Sequence, residues 1–160
     1  MTLAAAWRLK TVLILGPVLL TSCDPGQPYS VGVYDGGESV RILSGELCPD
    51  ERIVAITVYA VEGNVVGDSD DRVLWAAAGT QGTRHTDMTM GVPPPGFVES
   101  EEFSGLLPGD SGLVVLVDTT LTQRLSETFE ASSLRANEVL TVDGYVPLAE
   151  FRSQQPLGCG

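Results

Sequence analysis

Lysine and histidine are almost missing from this chain: Lys10 and His85 are the only examples in 160 residues. Nine basic residues stand against 21 acidic ones, a net charge of −12, so the positive field that attracts nucleic acid is excluded. Three cysteines and one histidine are too few for the four nitrogen or sulfur ligands of a structural zinc site once any cysteine is otherwise engaged. There is no glycine-rich phosphate loop, no amphipathic membrane helix, no repeat and no low-complexity tract, and no metal or cofactor is expected. No apolar run reaches the roughly 20 residues that cross a bilayer.

What is present begins with a leader. Arg8 and Lys10 precede ten uncharged, mostly apolar residues, Thr11 to Leu20. The run has the length of the apolar region of an export signal, and Gly16-Pro17 disfavours the alternative, a buried N-terminal helix. Residues 1–22 are therefore read as a signal peptide. Its end, Leu20-Thr21-Ser22-Cys23, resembles the bacterial lipobox, in which a branched apolar residue and two small residues precede a cysteine. The resemblance implies a lipoprotein: Cys23 receives a diacylglycerol through a thioether, becomes the mature N-terminus, and acyl chains such as palmitate hold the protein to the extracytoplasmic face of the cell membrane. Cys23 as a disulfide partner is the alternative. In an exported chain the two other cysteines, Cys48 and Cys159, form an even pair. A disulfide between them closes about 110 residues and contributes roughly 4 to 5 kcal/mol by constraining the unfolded chain. Two free buried thiols are the alternative there.

From Cys23 onward seven arginines face all 21 carboxylates, leaving −14. Such a surface repels anionic headgroups, so acyl chains and not basic residues would hold it at the membrane. Residues 23–30, rich in proline and glycine, read as a short tether between lipid and domain. Asp24, directly after the cysteine, resembles the residue that retains lipoproteins in the inner membrane of diderm bacteria. Leader, length and cysteine pair together resemble small actinobacterial lipoproteins, and the scarcity of lysine suits a GC-rich genome.

Residues 31–160 read as one domain with one core. Their signal has period two. "SVGVY" and "ESVRIL" flank Asp35-Gly36-Gly37 as a hairpin. "RIVAITVYAV" and "GLVVLVDTT" are β-branched runs continuous enough for central strands covered on both faces. "RVLWAAAG" and "TDMTMGV" add strands, whereas "PPPG" and "VESEE" read as a rigid and then a charged connection. In "LTQRLSETFEASSL" the fourfold spacing of Leu121, Leu125 and Phe129 competes with alternation in "ETFEA"; a turn leading into a strand near Glu127 to Ala131 is expected. "NEVLTV", Asp143-Gly144 and "YVPL" suggest a last strand and turn, and Pro147 can open a short helix through "LAEF". The fold class is all-β, a two-layer β-sandwich with an immunoglobulin or fibronectin type III-like topology, a small barrel being the alternative.

One tetrapeptide invites a catalytic reading. Gly109-Asp110-Ser111-Gly112 resembles the segment around the nucleophile of chymotrypsin-like proteases, which would need His85 and Asp87 or Asp118 beside Ser111. The surroundings depart from that family: Gly112-Leu113 follows the serine where a second glycine and a proline are usual, and two residues separate His85 from Asp87. Leu106, Pro108 and Gly109 before "LVVLV" resemble instead the turn that enters a strand in fibronectin type III domains, although Gly112 stands where that pattern has tyrosine. Asp68, Asp70 and Asp71 lack the downstream glutamate and glycine of a calcium loop. Glu99, Glu101 and Glu102 read as a solvated charge run, and Tyr59, Trp75 and Phe129 as core. The expectation is a non-enzymatic, lipid-anchored module that binds an envelope protein or a small molecule. An envelope structural or assembly role and a hydrolase using Ser111 are the alternatives.

Overall fold

The hairpin around Asp35-Gly36-Gly37 is present in the computed structural model, which describes residues 31–61, 71–108 and 111–154. Strand β1 (Val31–Asp35) pairs antiparallel with β2 (Val40–Ser44), and Gly37 takes a φ of 91°, which glycine adopts at little steric cost. The two β-branched runs become β3 (Ile53–Val61) and β7 (Gly112–Thr119), which pair along their whole length. Around them lie β4 (Arg72–Thr83), β5 (Asp87–Thr89), β6 (Val98–Glu101), β8 (Gln123–Leu125), β9 (Glu138–Thr141) and β10 (Gly144–Pro147). A short helix, α1 (Leu148–Ser153), follows Pro147.

These strands form two antiparallel sheets, β10-β9-β1-β2-β5 and β6-β4-β3-β7-β8, packed face to face as a sandwich and not closed into a barrel. The pairing β1-β2-β5 against β4-β3-β7-β8 follows the A-B-E and C′-C-F-G order of immunoglobulin-type sandwiches. To it are added β6 beyond β4 and the β9–β10 hairpin beyond β1. The core between the layers takes alternate residues of each strand: Val31, Val33 and Ile42 from the first sheet meet Ile56, Val58, Trp75, Val115 and Val117 from the second.

Two elements differ from the sequence expectation. "VESEE" is not wholly a connection, because Val98 to Glu101 pair with β4 as an edge strand, where glutamates can reach water without disturbing the ladder. Beyond β7, the strand forms at Gln123–Leu125 and not at Glu127–Ala131. Ser126 ends it by accepting the Val115 N–H on its own hydroxyl at 2.9 Å; Phe129 then rejoins β7 opposite Leu113, and residues Ala131–Ser133 turn as a 3₁₀ helix.

The outer faces of the two sheets are treated differently. On the first, Tyr34, Leu43 and Val139 are buried beneath Phe151 of α1, with Leu148 packed alongside. Gly32 makes room for this, since a Cβ there would lie 2.2 Å from Val139 Cγ1 and 3.0 Å from Phe151. Among the described residues no helix covers the outer face of the second sheet.

Candidate functional site

The register of the second sheet defines what its outer face carries, because residues opposite one another in an antiparallel ladder share a face. One row runs Val98, Ala78, Ala55, Asp118, Gln123 across β6, β4, β3, β7 and β8. The next runs Glu101, Ala76, Thr57, Leu116, Leu125, and a third Val73, Tyr59, Val114. Nine of these 13 positions are apolar, counting Tyr59 with them, and none is basic. Val98 is 74% exposed, Leu125 43% and Val73 36%, while Ala55, Ala76, Thr57, Tyr59 and Leu116 are half-buried by their neighbours and Val114 is buried. Solvent-facing positions of such a sheet are ordinarily polar. The rows extend roughly 19 Å across the strands and 14 Å along them.

Sequence reasoning missed this face. The unbroken β-branched runs suggested cover on both sides of β3 and β7; on the outer side Val114 is buried, whereas Ala55, Thr57, Tyr59 and Leu116 are only half-buried. Tyr59, read as core, lies on the open side, whereas Trp75 and Phe129 are buried in the core as expected. Trp75 donates its indole N–H to Glu99 Oε1 at 2.7 Å, so one member of the glutamate run has a structural partner.

Asp118 is the exception within the apolar rows. It lies between Ala55 and Gln123, half-buried, and its Oδ1 is sealed from solvent with no hydrogen-bond donor in reach. Buried acceptors are almost always paired, so an orphan oxygen on a carboxylate is an anomaly with an energetic cost.

The residues of the catalytic reading are not brought together. Ser111 precedes Gly112, which pairs with Val61 at one end of β3; His85 follows Thr83, which pairs with Ile53 at the other. Eight residues of strand separate the two ends by about 26 Å. Asp87 is engaged elsewhere: Arg41 Nε donates to it at 3.1 Å, Arg152 Nη2 at 2.6 Å and the Tyr34 hydroxyl at 3.3 Å. Burial, then the Asp87 charge, pushes the Tyr34 phenol above its usual range. This cluster borders a cleft of about 290 Å³ lined by Leu43, Ser44, Glu46, Phe151, Arg152 and Gln154. Ser111 sits half-buried at the head of β7, while Gly109, Asp110, Asp68 and Asp70 lie outside the described residues. Among the described residues no group of three or more His, Cys, Asp or Glu is placed to hold a metal ion.

Leu106 is 77% exposed, and it is Leu107 that packs against the core. Gly112, the departure from the fibronectin pattern, has a packing reason: a Cβ there would lie 2.6 Å from Thr128 Cγ2.

A second polar centre closes the end of the sandwich where β3 begins. Glu51, 2% exposed, accepts Arg124 Nη2 on both oxygens at 2.7 Å, the Thr119 hydroxyl at 2.7 Å and the Cys48 N–H at 3.1 Å. Burial alone would raise its pKa, but the Thr119 and Cys48 hydrogen bonds and the Arg124 charge outweigh that and hold the carboxyl below its usual range. Arg84 donates to the carbonyls of Cys48, Pro49 and Glu51 at 2.6 to 3.0 Å. Every strong group here has a partner, which marks a structural lock on residues 45–52 and not a reactive centre. Cys23 and Cys159 lie outside the described residues. Against protein-family models, curated proteins and solved structures, the chain matches none.

Proposed function

We propose that this chain is an exported, lipid-anchored interaction module that binds a protein partner through the open face of its β6-β4-β3-β7-β8 sheet. The observation that carries the reading is the composition of that face: nine apolar positions and no cation, on a chain whose residues from Cys23 onward sum to −14. Its acidic surroundings oppose an anionic membrane as the occupant. The leader and Leu20-Thr21-Ser22-Cys23 support anchoring at the extracytoplasmic face of the membrane, with Cys23 carrying the lipid. Two acyl chains give stable attachment where one gives only marginal binding.

The Cys48–Cys159 disulfide belongs to the same proposal. Gln154 and Glu46 line one cleft, so the chain up to Gln154 lies close to the loop that holds Cys48. Five further residues reach at most about 17 Å, enough to bring Cys159 there.

The test is a photo-crosslinking side chain placed at Val98 or Leu125, with Glu150 on α1 as the control, in intact cells. A discrete adduct from the sheet positions and none from Glu150 is the expected result. Equal yields from both sides, or none from either, would refute a docking role for this face.

A further inference from the structure

We infer that the partner of this sheet contributes an extended segment that pairs, strand to strand, with the first residues of β4. The inference rests on this sheet being the docking surface and adds the form and chemistry of what docks there. Strand β4 runs from Arg72 to Thr83, yet edge strand β6 pairs only with Ala76, Ala77 and Ala78. Past Glu101 the chain leaves the ladder, because Phe103 packs against the core and lies so close to Gly91 that a Cβ there would be 2.8 Å from Phe103 Cδ1. Among the described residues no strand therefore flanks Arg72, Val73 and Leu74 on the side away from β3. A strand edge left open offers its backbone N–H and C=O groups to another chain.

Beside this edge lies a cleft of about 360 Å³ between β4 and residues 101–108. Leu74 and Leu107, both packed against the core, line its inner side, and the exposed Val73 and Leu106 its outer side. Glu101 and Glu102 border it with Arg72, two carboxylates to one guanidinium, and neither carboxylate has an ion-pair partner among the described residues. A strand seated there alternates its side chains between the two faces of the sheet. One set meets Leu74 and Leu107; the other passes over Val73 towards Glu101. The segment that fits is therefore apolar at alternate positions and basic between them, each arginine or lysine laying its stem on Val73 and its charge at the glutamates. A second copy of this chain is the poorer occupant, since two such edges about a twofold axis bring the same surplus of carboxylate together.

The test uses the mature chain and a short peptide alternating valine and arginine, with two twins N-methylated on the valines or on the arginines, read by fluorescence anisotropy. Alternate N–H groups of a strand point to opposite sides, so one twin should lose about tenfold in affinity and the other less than about twofold. The unmodified peptide should slow amide exchange within Arg72–Leu74 and not within β8. Leu106→Asp, at an exposed position, and the pair Glu101→Gln with Glu102→Gln should each weaken binding by about tenfold. Glu150→Gln, on exposed α1, should change it by less than about twofold, separating a site from general attraction to an acidic protein. Equal binding by both twins, protection at β8 in place of β4, or no binding of the unmodified peptide overturns the inference. The crosslinks from Val98 and Leu125 report on the face separately: adducts without strand pairing keep the face and reject the edge, pairing without adducts keeps the edge and rejects the face, and the absence of both rejects both. A dimer in sedimentation that Leu106→Asp dissolves would assign the edge to self-association and overturn the inference.

Discussion

Gly112 and Ser111 are neighbours with opposite burdens. The serine drew attention through its resemblance to a nucleophile, yet it lies about 26 Å along the sheet from His85 and sits only half-buried at a strand entry. The glycine looked like a defect in a turn pattern, yet its missing Cβ is what lets Thr128 Cγ2 and Val61 close on β7. Gly112→Val should lower stability by about 1 to 3 kcal/mol through overpacking. Ser111→Ala should stay within about 0.5 kcal/mol. Paired chemical melts of the two variants check this, and a costlier serine change would reverse the ranking. Leu106 and Leu107 look equivalent in sequence, and the direction of the chain through the turn decides that Leu107 packs against the core while Leu106 stays exposed.

Among the elements, the loop of residues 45–52 is held by charge as well as by Leu47, which is buried in the core. Glu51, Arg124 and Thr119 come from three separate stretches, and no local pattern joins them; Glu51 reads in sequence as one more surface acid. Because its folded pKa lies below the ordinary value of 4.5, its contribution is fully present above that value and is lost as pH falls through the folded pKa. Acid melts should therefore show stability declining below about pH 4.5, with a shallower decline in Glu51→Gln. That variant leaves Arg124 buried without its counterion and should cost about 3 to 5 kcal/mol at neutral pH. An unchanged neutral-pH melt would remove the lock. Strands were legible where apolar residues set the period, as in β1, β2, β3, β4 and β7. They were misjudged at β6, where glutamates mask an edge strand, and at β8, where a serine hydroxyl replaces a backbone acceptor.

At the scale of the molecule, the sandwich was legible because two continuous β-branched runs and frequent turn residues leave few other ways to bury them. The open face was not, since a run apolar on both sides reads the same whether a helix covers it, as α1 covers the first sheet, or nothing described does. The proposed lipid and disulfide would give the cysteines separable duties. Val31, where the proposed tether of residues 23–30 enters, pairs with Ser44, so it lies at the same end as the loop carrying Cys48. Eight tether residues reach at most about 28 Å, so on the proposed anchoring this end of the sandwich lies nearest the bilayer. On the proposed anchoring, Cys23→Ala should abolish partitioning of the mature protein into detergent while leaving its melting temperature unchanged. Cys48→Ser should do the reverse, keeping the protein in the detergent phase and lowering stability by roughly 4 to 5 kcal/mol less any native strain. A loss of partitioning on Cys48→Ser, or a loss of stability on Cys23→Ala, would mean that the duties of lipid and crosslink are assigned to the wrong cysteines.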